Sequence, residues 1–428
     1  MKRLVFVLLQ ALATSLLISG CSAGPDGDGF SEEGSSTLYE EALAALPNYE
    51  PFYVEPGSLV IMHRGGAIVI PEDHRGTPSA SWADAYRVVL PIPQTFTRSV
   101  WPYAGGWRVL TSVGLPRIGF VYDLFDLSFS GGQMVAMTGA RPRPRAVYVD
   151  DMNGRFYTAM RTADDGAHEL AVEVAEDGEA PCVGVIIAKF ALGRRERTDT
   201  RCLGSVPSGA WLYTLWGTSD ARTMVLKYRE GAVHERPRLA LFNVETGHDL
   251  GTLEVEGDLV TDGAFLNGDF YYFRQLSGIV SRLTPADPAT GTPLRDEVVM
   301  VVGPYPPHSS IVRRLLFDDS AQVLRVVYMD ATDTHIYTIA AGGAVSGVSI
   351  EGVVGRNAEI NNDGNVVLRE YNKTWEGHPG QPGYEPPSLQ QLEERFFTVD
   401  PETGEVIDSL HVQLPAEAFW NSYFFVSP

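Results

Sequence analysis

The side chains in this sequence that could do chemistry are few and loosely spaced. Asp330, Asp333 and His335 combine two carboxylates with an imidazole, donor types that can hold a divalent metal. They fall where a strand run ends, and as solvated turn residues they need no ion. Asn361-Asn362-Asp363-Gly364-Asn365 offers oxygen ligands on a loop but lacks the spaced acids and closing glutamate of a calcium loop. Asp363-Gly364 reads instead as a hairpin connection. Arg194, Arg195 and Arg197 form the densest basic cluster, which suits either a solvated hairpin tip or an anionic partner.

The common catalytic signatures are absent. Residues 217–221, Gly-Thr-Ser-Asp-Ala, lack the last glycine of a nucleophile elbow. His168-Glu169 and His234-Glu235 both lack the second histidine of a zinc-binding helix, and no glycine-rich phosphate loop ends in Gly-Lys. No catalytic residue or metal ligand is assigned, and cofactor and ligand are unknown from the sequence. Aromatic runs are the remaining signal: Trp211, Tyr213 and Trp216; Tyr271 and Tyr272; Trp101, Tyr103 and Trp107. Strand alternation places Trp211 and Tyr213 on one face. Core packing is the plain reading of these runs, and a ligand mouth is the functional one.

The N-terminus has a different texture. Lys2 and Arg3 precede an apolar run at 4–17 that is too short to span a bilayer comfortably. Leu17-Ile18-Ser19-Gly20-Cys21 then resembles the lipobox of bacterial lipoproteins. The resemblance implies a signal peptide at 1–20, removal of that peptide, and a diacylated Cys21 whose two or three chains, palmitate among them, hold the protein stably at a membrane. Ser22 in place of aspartate implies the outer membrane, on its periplasmic or outer side. Residues 21–48 read as a flexible acidic tether with a short helical possibility at 38–46.

Removing residues 1–20 leaves 31 basic and 54 acidic residues, a net charge of −23. That balance argues against nucleic acid and against adhesion to anionic lipid. In an oxidising compartment Cys182 and Cys202 form a natural pair. Their midpoint adjoins Gly193, so a hairpin folded there would set the two cysteines opposite each other at its base.

The elements that must carry these residues are β-strands. From residue 58 onward short apolar runs follow one another: LVIMH at 59–63, AIVI at 67–70, WRVLTSV at 107–113, VGVIIAKF at 183–190, MVLKY at 224–228, LRVVYM at 324–329 and others between them. No helical period interrupts them, which fixes an all-β class. Turn glycines at 154, 193, 247, 291, 343 and 404 are separated by 39, 54, 44, 52 and 61 residues, close to one four-stranded blade per period. Residues 238–257 and 394–414 are two copies of one hairpin, turning at Thr246-Gly247 and Thr403-Gly404.

With its Asn-Gly or Thr-Gly turns at 153–154, 246–247, 290–291 and 403–404, the chain resembles the quinoprotein-type and related β-propellers, several of which are bacterial envelope lipoproteins. The resemblance implies one propeller over 58–428 with four-stranded antiparallel blades, seven in number, with eight as the alternative. The terminal run FWNSYFFV is expected to close the ring against the strands after Ser58, and the insert at 373–391 to form a surface loop. The function implied is an anchored envelope lipoprotein whose loops bind, without catalysis, a small ligand such as a siderophore or corrinoid, or a protein partner. The alternative is a lactonase, lyase or quinoprotein-type enzyme, with polar side chains from different blades gathered at the channel mouth.

Overall fold

The computed structural model describes most of the backbone from Ser58 to Val426, with side chains chiefly from Ala146 onward. The lipobox, the tether, the insert at 373–391, Arg194, Arg195, His168 and His234 lie outside the described residues, as do the side chains of Trp101, Tyr103 and Trp107.

The described strands form seven sheets, six of four strands and one of five, the number expected for seven blades. In chain order the second to seventh blades occupy residues 96–137, 146–203, 211–254, 260–301, 313–350 and 355–413. The first blade combines Leu59–His63, Gly66–Ile70 and Tyr86–Val89 with the C-terminal strand Tyr423–Val426. Contacts between successive sheets run through the first strand of each, so these strands are innermost: Phe96–Tyr103, Ala146–Asp150, Trp211–Gly217, Val260–Leu266, Arg313–Asp318, Gly355–Ile360 and, for the first blade, Tyr423–Val426. This is an all-β propeller.

Period-two alternation explains why these sequences stack. In Thr223–Arg229, Met224, Leu226 and Tyr228 enter the core shared with the third blade, while Val225 points the other way into the core shared with the fifth. Further apolar layers join the fifth to the sixth blade, the sixth to the seventh and the seventh to the first. A strand buried on both faces reads as a continuous apolar run, which is why MVLKY and LRVVYM look alike in sequence.

Closure works at both margins of the first blade. Leu59 to Met62 pair antiparallel with Val426 to Tyr423, so the C-terminal strand becomes the innermost strand of a sheet begun by the N-terminal ones. Ala80–Ser81 leaves the same blade and pairs in parallel with Val412 and Gln413 at the outer edge of the seventh. Both contacts occupy strand edges that would otherwise offer unpaired backbone groups.

The repeated hairpin recurs at the connection between third and fourth strands. Asn243, Asp287 and Asp400 each begin such a turn, and a glycine follows four residues later in left-handed geometry. Asn243 Oδ1 accepts from the Glu245 and Thr246 amides, and Asp400 Oδ1 from the Glu402 and Thr403 amides. Gly247 and Gly404, at φ of 72° and 75°, supply the backbone conformation that lets each turn close. Gly154, by contrast, sits between first and second strands, so the spacing counted from it mixed two kinds of turn.

Cys182 and Cys202 are joined, with Cα atoms 5.8 Å apart. The local register differs from the symmetric hairpin. Cys202 lies opposite Ile186, and Cys182 stands three residues before the strand Val185–Ala191. Cys182 lies beyond the end of that ladder, which begins at Val185 opposite Leu203; Gly184 continues the register with the preceding strand, accepting from the Thr162 amide at 3.0 Å and donating to Thr162 Oγ1 at 3.1 Å. The disulfide therefore links the residues leading into Val185–Ala191 to the outgoing strand, inside a small core with Met160, Ile186 and Ala188.

Candidate functional site

The innermost strand of the fourth blade, Trp211–Gly217, brings aromatic side chains to the axis end. Its pairing with Thr223–Arg229 sets Trp211 opposite Arg229 and Thr214 opposite Lys227, with a bulge at Tyr213. Opposed residues of an antiparallel pair share a face, so Trp211, Lys227 and Arg229 lie on the side that meets the fifth blade. Trp216 and Val225 continue that face into the core shared with it. The bulge turns Tyr213 out of the alternation, and Lys227 Nζ and the Arg229 guanidinium each stand 5.3 Å from its ring centroid. Trp211 is 57% exposed and Tyr213 40%, although both belong to an innermost strand.

Lys227 also donates a short hydrogen bond to the Val260 carbonyl of the fifth blade. Burial removes much of the ammonium's hydration, and the positive charge of Arg229 adds to the cost. Together they push its pKa down to about 8 against the opposing pull of Asp262.

Asp262 begins a polar chain across three consecutive innermost strands. Its Oδ1 accepts from the Gly263 amide at 2.9 Å and its Oδ2 from the Leu315 amide at 3.1 Å, with Arg314 Nε 3.2 Å from the same oxygen. Arg314 reaches on to Glu359 at 3.3 Å and donates to Asn357 Oδ1 at 3.2 Å. Burial raises the Asp262 carboxyl above the usual carboxylate range, and the Arg314 charge only partly offsets it. The innermost strands of the fifth, sixth and seventh blades thus present a run of polar groups. Both carboxylates in that run are bound by one guanidinium, an arrangement that neutralises them without an ion.

The other sequence-derived candidates resolve into turns or core. Asp330 Oδ1 accepts from the Thr332 and Asp333 amides at 2.8 Å each, and its Oδ2 is 2.9 Å from His335 Nε2. Asp333 Oδ1 is taken by the Gly352 amide, and His335 Nδ1 by Ser349. Burial alone would raise the Asp330 carboxyl, but the hydrogen bonds from His335, Thr332 and Asp333 hold it well below the usual range. Asn361 caps its own hairpin, accepting from Asp363 and Asn365; the closed loop is longer than the two residues Asp363-Gly364 suggested. Tyr271 and Tyr272 are buried in different inter-blade cores. Trp216 packs against Phe270 at 5.2 Å. Arg197 sits on a strand opposite Phe190. No group of metal-holding side chains occurs among the described residues.

A cleft of about 140 Å³ lies away from this site, between the third and fourth blades, lined by Tyr157, Lys189, Asp199, Arg201 and Glu245. Arg201 fills part of its polar lining by pairing with Asp199 at 3.0 Å and donating to the Glu245 carbonyl at 3.2 Å. We place the candidate site at Tyr213, where solvent-exposed aromatic rings and desolvated cations meet.

Sequence reasoning found Trp211 and Tyr213 and missed Lys227, Arg229, Asp262 and Arg314. One signal was available. The chain holds 33 basic residues, of which only Lys2, Lys189, Lys227 and Lys373 are lysine. A lysine inside an apolar strand of so arginine-rich a sequence stands out.

Fold and site together define a β-propeller with an aromatic and cationic axis end. No known family description matches the chain, and no curated protein sequence matches it. Among solved structures it is similar to the periplasmic gluconolactonase PpgL of Pseudomonas aeruginosa, with a TM-score of 0.48 and 13% identity over 87% of this chain and 99% of that one. It is also similar to the Cps50 (Swd1) β-propeller domain of Myceliophteria thermophila, with a TM-score of 0.44 and 11% identity over 86% of this chain and 97% of that one. A chain of a mitotic checkpoint complex gives a TM-score of 0.44 and 11% identity, over 76% and 83% of the two chains.

Proposed function

We propose that this protein is a lipid-anchored envelope propeller that binds a small anionic, aromatic ligand at the axis end of its fourth and fifth blades, without catalysis. Cys21 is the anchor in this reading, and its acyl chains keep the propeller at the outer membrane. The observation that carries the binding assignment is the exposure of Trp211 and Tyr213 on an innermost strand with Lys227 and Arg229 against the Tyr213 ring. Flat aromatic surfaces favour stacking, and two cations in a partly desolvated setting favour an anion. A siderophore-like ligand combines both properties. A protein partner is the less favoured occupant, because exposed rings backed by cations suit a compact charged ligand better than a broad apolar interface does.

The polar chain Asp262–Arg314–Glu359 supports the enzymatic alternative of lactonase, lyase or quinoprotein type, since its members come from different blades. It is the weaker reading because Arg314 occupies both carboxylates.

The test is a fluorescence titration with 2,3-dihydroxybenzoate, an aromatic carboxylate, alongside native mass spectrometry of protein extracted from its own envelope. Quenching that weakens about tenfold in Trp211→Ala and Arg229→Ala is expected. Absence of binding, or binding unchanged in both variants, overturns the assignment.

A further inference from the structure

Lys227 differs from every other described basic residue at this site in the kind of chemistry open to it. Arginine carries a guanidinium that stays protonated, whereas a lysine amine can lose its proton and act as a nucleophile. The other cation against the Tyr213 ring, Arg229, is an arginine, so the primary amine at this site is that of Lys227.

Three features of the geometry prepare that amine. Lys227 lies on the second strand of its blade, anchored on one side by the Val260 carbonyl and on another by the Tyr213 face. A deprotonated amine still has hydrogens to donate to Val260, which leaves its lone pair for an incoming atom. Arg229 is held over the same ring at the same 5.3 Å, so two cations compete for one aromatic face. Asp262, the acid whose charge favours the ammonium, is already bound by Arg314. Desolvation beside a second cation, with the local acid committed elsewhere, is how proteins convert a lysine into a nucleophile. Lys227 is half-buried, and the Tyr213 ring beside it is 40% exposed.

Resting on the ligand-binding reading above, we propose that Lys227 captures its ligand covalently as an imine, and that the ligand is an anionic aldehyde or ketone. The neutral Nζ attacks the carbonyl carbon and the oxygen takes up a proton, giving a carbinolamine. Loss of water then leaves a carbon–nitrogen double bond to Nζ. The balance is one amine and one carbonyl to one imine and one water, with no oxidant or reductant. Arg229 supplies the positive field for the ligand's anionic group, and Trp211 an exposed ring for an aromatic one.

Burial and the charge of Arg229 disfavour the ammonium and Asp262 favours it, while the amine lies against the Tyr213 ring. With a pKa of about 8, the free amine at pH 7 is roughly 300-fold more abundant than for an ordinary lysine.

The experiment uses full-length, detergent-extracted protein and pyridoxal 5′-phosphate, an anionic aromatic aldehyde. Borohydride reduces any imine to a stable secondary amine, which peptide mapping locates. Lys189 and Lys373 serve as internal references. Lys227 is expected to be labelled at least tenfold faster than either at pH 7, Lys227→Arg to lose that label, and the wild type to bind pyridoxine 5′-phosphate, which has no carbonyl, without forming an adduct. Binding of both compounds with no adduct at Lys227, or labelling no faster than at Lys189 and Lys373, overturns the imine and leaves the ligand-binding reading standing. Failure of both compounds to bind overturns the two together.

Discussion

Arg369 and Glu394 form an ion pair between neighbouring strands of the seventh blade, with each side chain only 2% exposed. The pair lies where that blade meets the C-terminal strand: Phe396, two residues beyond Glu394, packs edge-on against Phe424 at 5.2 Å. Replacing Glu394 takes this counter-charge from a guanidinium that is buried from water, which is costly.

Glu394→Leu should therefore destabilise the protein by about 3–5 kcal/mol, whereas the double replacement Arg369→Met with Glu394→Leu should recover most of that loss. Urea denaturation of the single and double variants measures it. A single variant as stable as wild type would mean that the guanidinium finds another partner.

Lys227 gives a pH-dependent prediction of definite sign. The folded state holds the amine near pKa 8, while the unfolded chain keeps its proton up to the ordinary value of 10.5. Between those values the unfolded state binds more protons, so stability contributed by this residue rises with pH, and below 8 the full penalty applies. Lys227→Met should stabilise the protein at pH 7 by about 1–3 kcal/mol, with the gain fading toward pH 10.5. Denaturation curves at pH 7 and pH 10 test this, and an equal effect at both would refute it.

Trp211 separates binding from folding. With 57% of the residue exposed, Trp211→Ala should change stability by less than about 0.5 kcal/mol. The same variant should lose about tenfold in affinity for 2,3-dihydroxybenzoate. Calorimetric unfolding of the two proteins checks the first statement, and a large drop in Tm would make Trp211 a packing residue.

The disulfide should stabilise by restricting the unfolded chain. Its cysteines are 20 residues apart, for which loop closure contributes about 3 kcal/mol. Cys182→Ala with Cys202→Ala should show that loss in denaturant titrations, and non-reducing peptide mapping of the wild type should recover both cysteines in one linked fragment.

At the N-terminus, Cys21→Ala should move the protein from the membrane fraction to the soluble one. Radiolabelled palmitate should enter the wild-type chain and not the variant; a wild-type chain that takes up no label would remove Cys21 as the anchor.

Local chemistry made the strands and turns legible. Near-continuous apolar runs in VGVIIAKF and LRVVYM leave few alternatives to a strand buried on both faces, and Asn243 or Asp400 followed four residues later by glycine writes a turn that the backbone must close. Because every strand already had a partner nearby except the last, the run ending at Val426 could be assigned to the strands after Ser58, where it pairs. The cysteine pairing followed from the compartment implied by the N-terminus, but its register did not. That depended on the register of the two strands, which sets Cys202 opposite Ile186 and which no local propensity encodes.

The site was only half visible, for a related reason. Trp211 and Tyr213 were conspicuous as residue types, yet alternation alone sends them to one face and cannot say whether a neighbouring blade covers it. A bulge at Tyr213, the order of blades around the axis and the approach of Val260 decided that these rings stay exposed and that Lys227 meets them. Asp262, Arg314 and Glu359 are about fifty residues apart in sequence and adjacent only because each lies on an innermost strand. The sequence determined the strands through side-chain periodicity, a property of neighbours along the chain. The tertiary structure decided the site, because desolvation and charge pairing depend on groups brought from other blades.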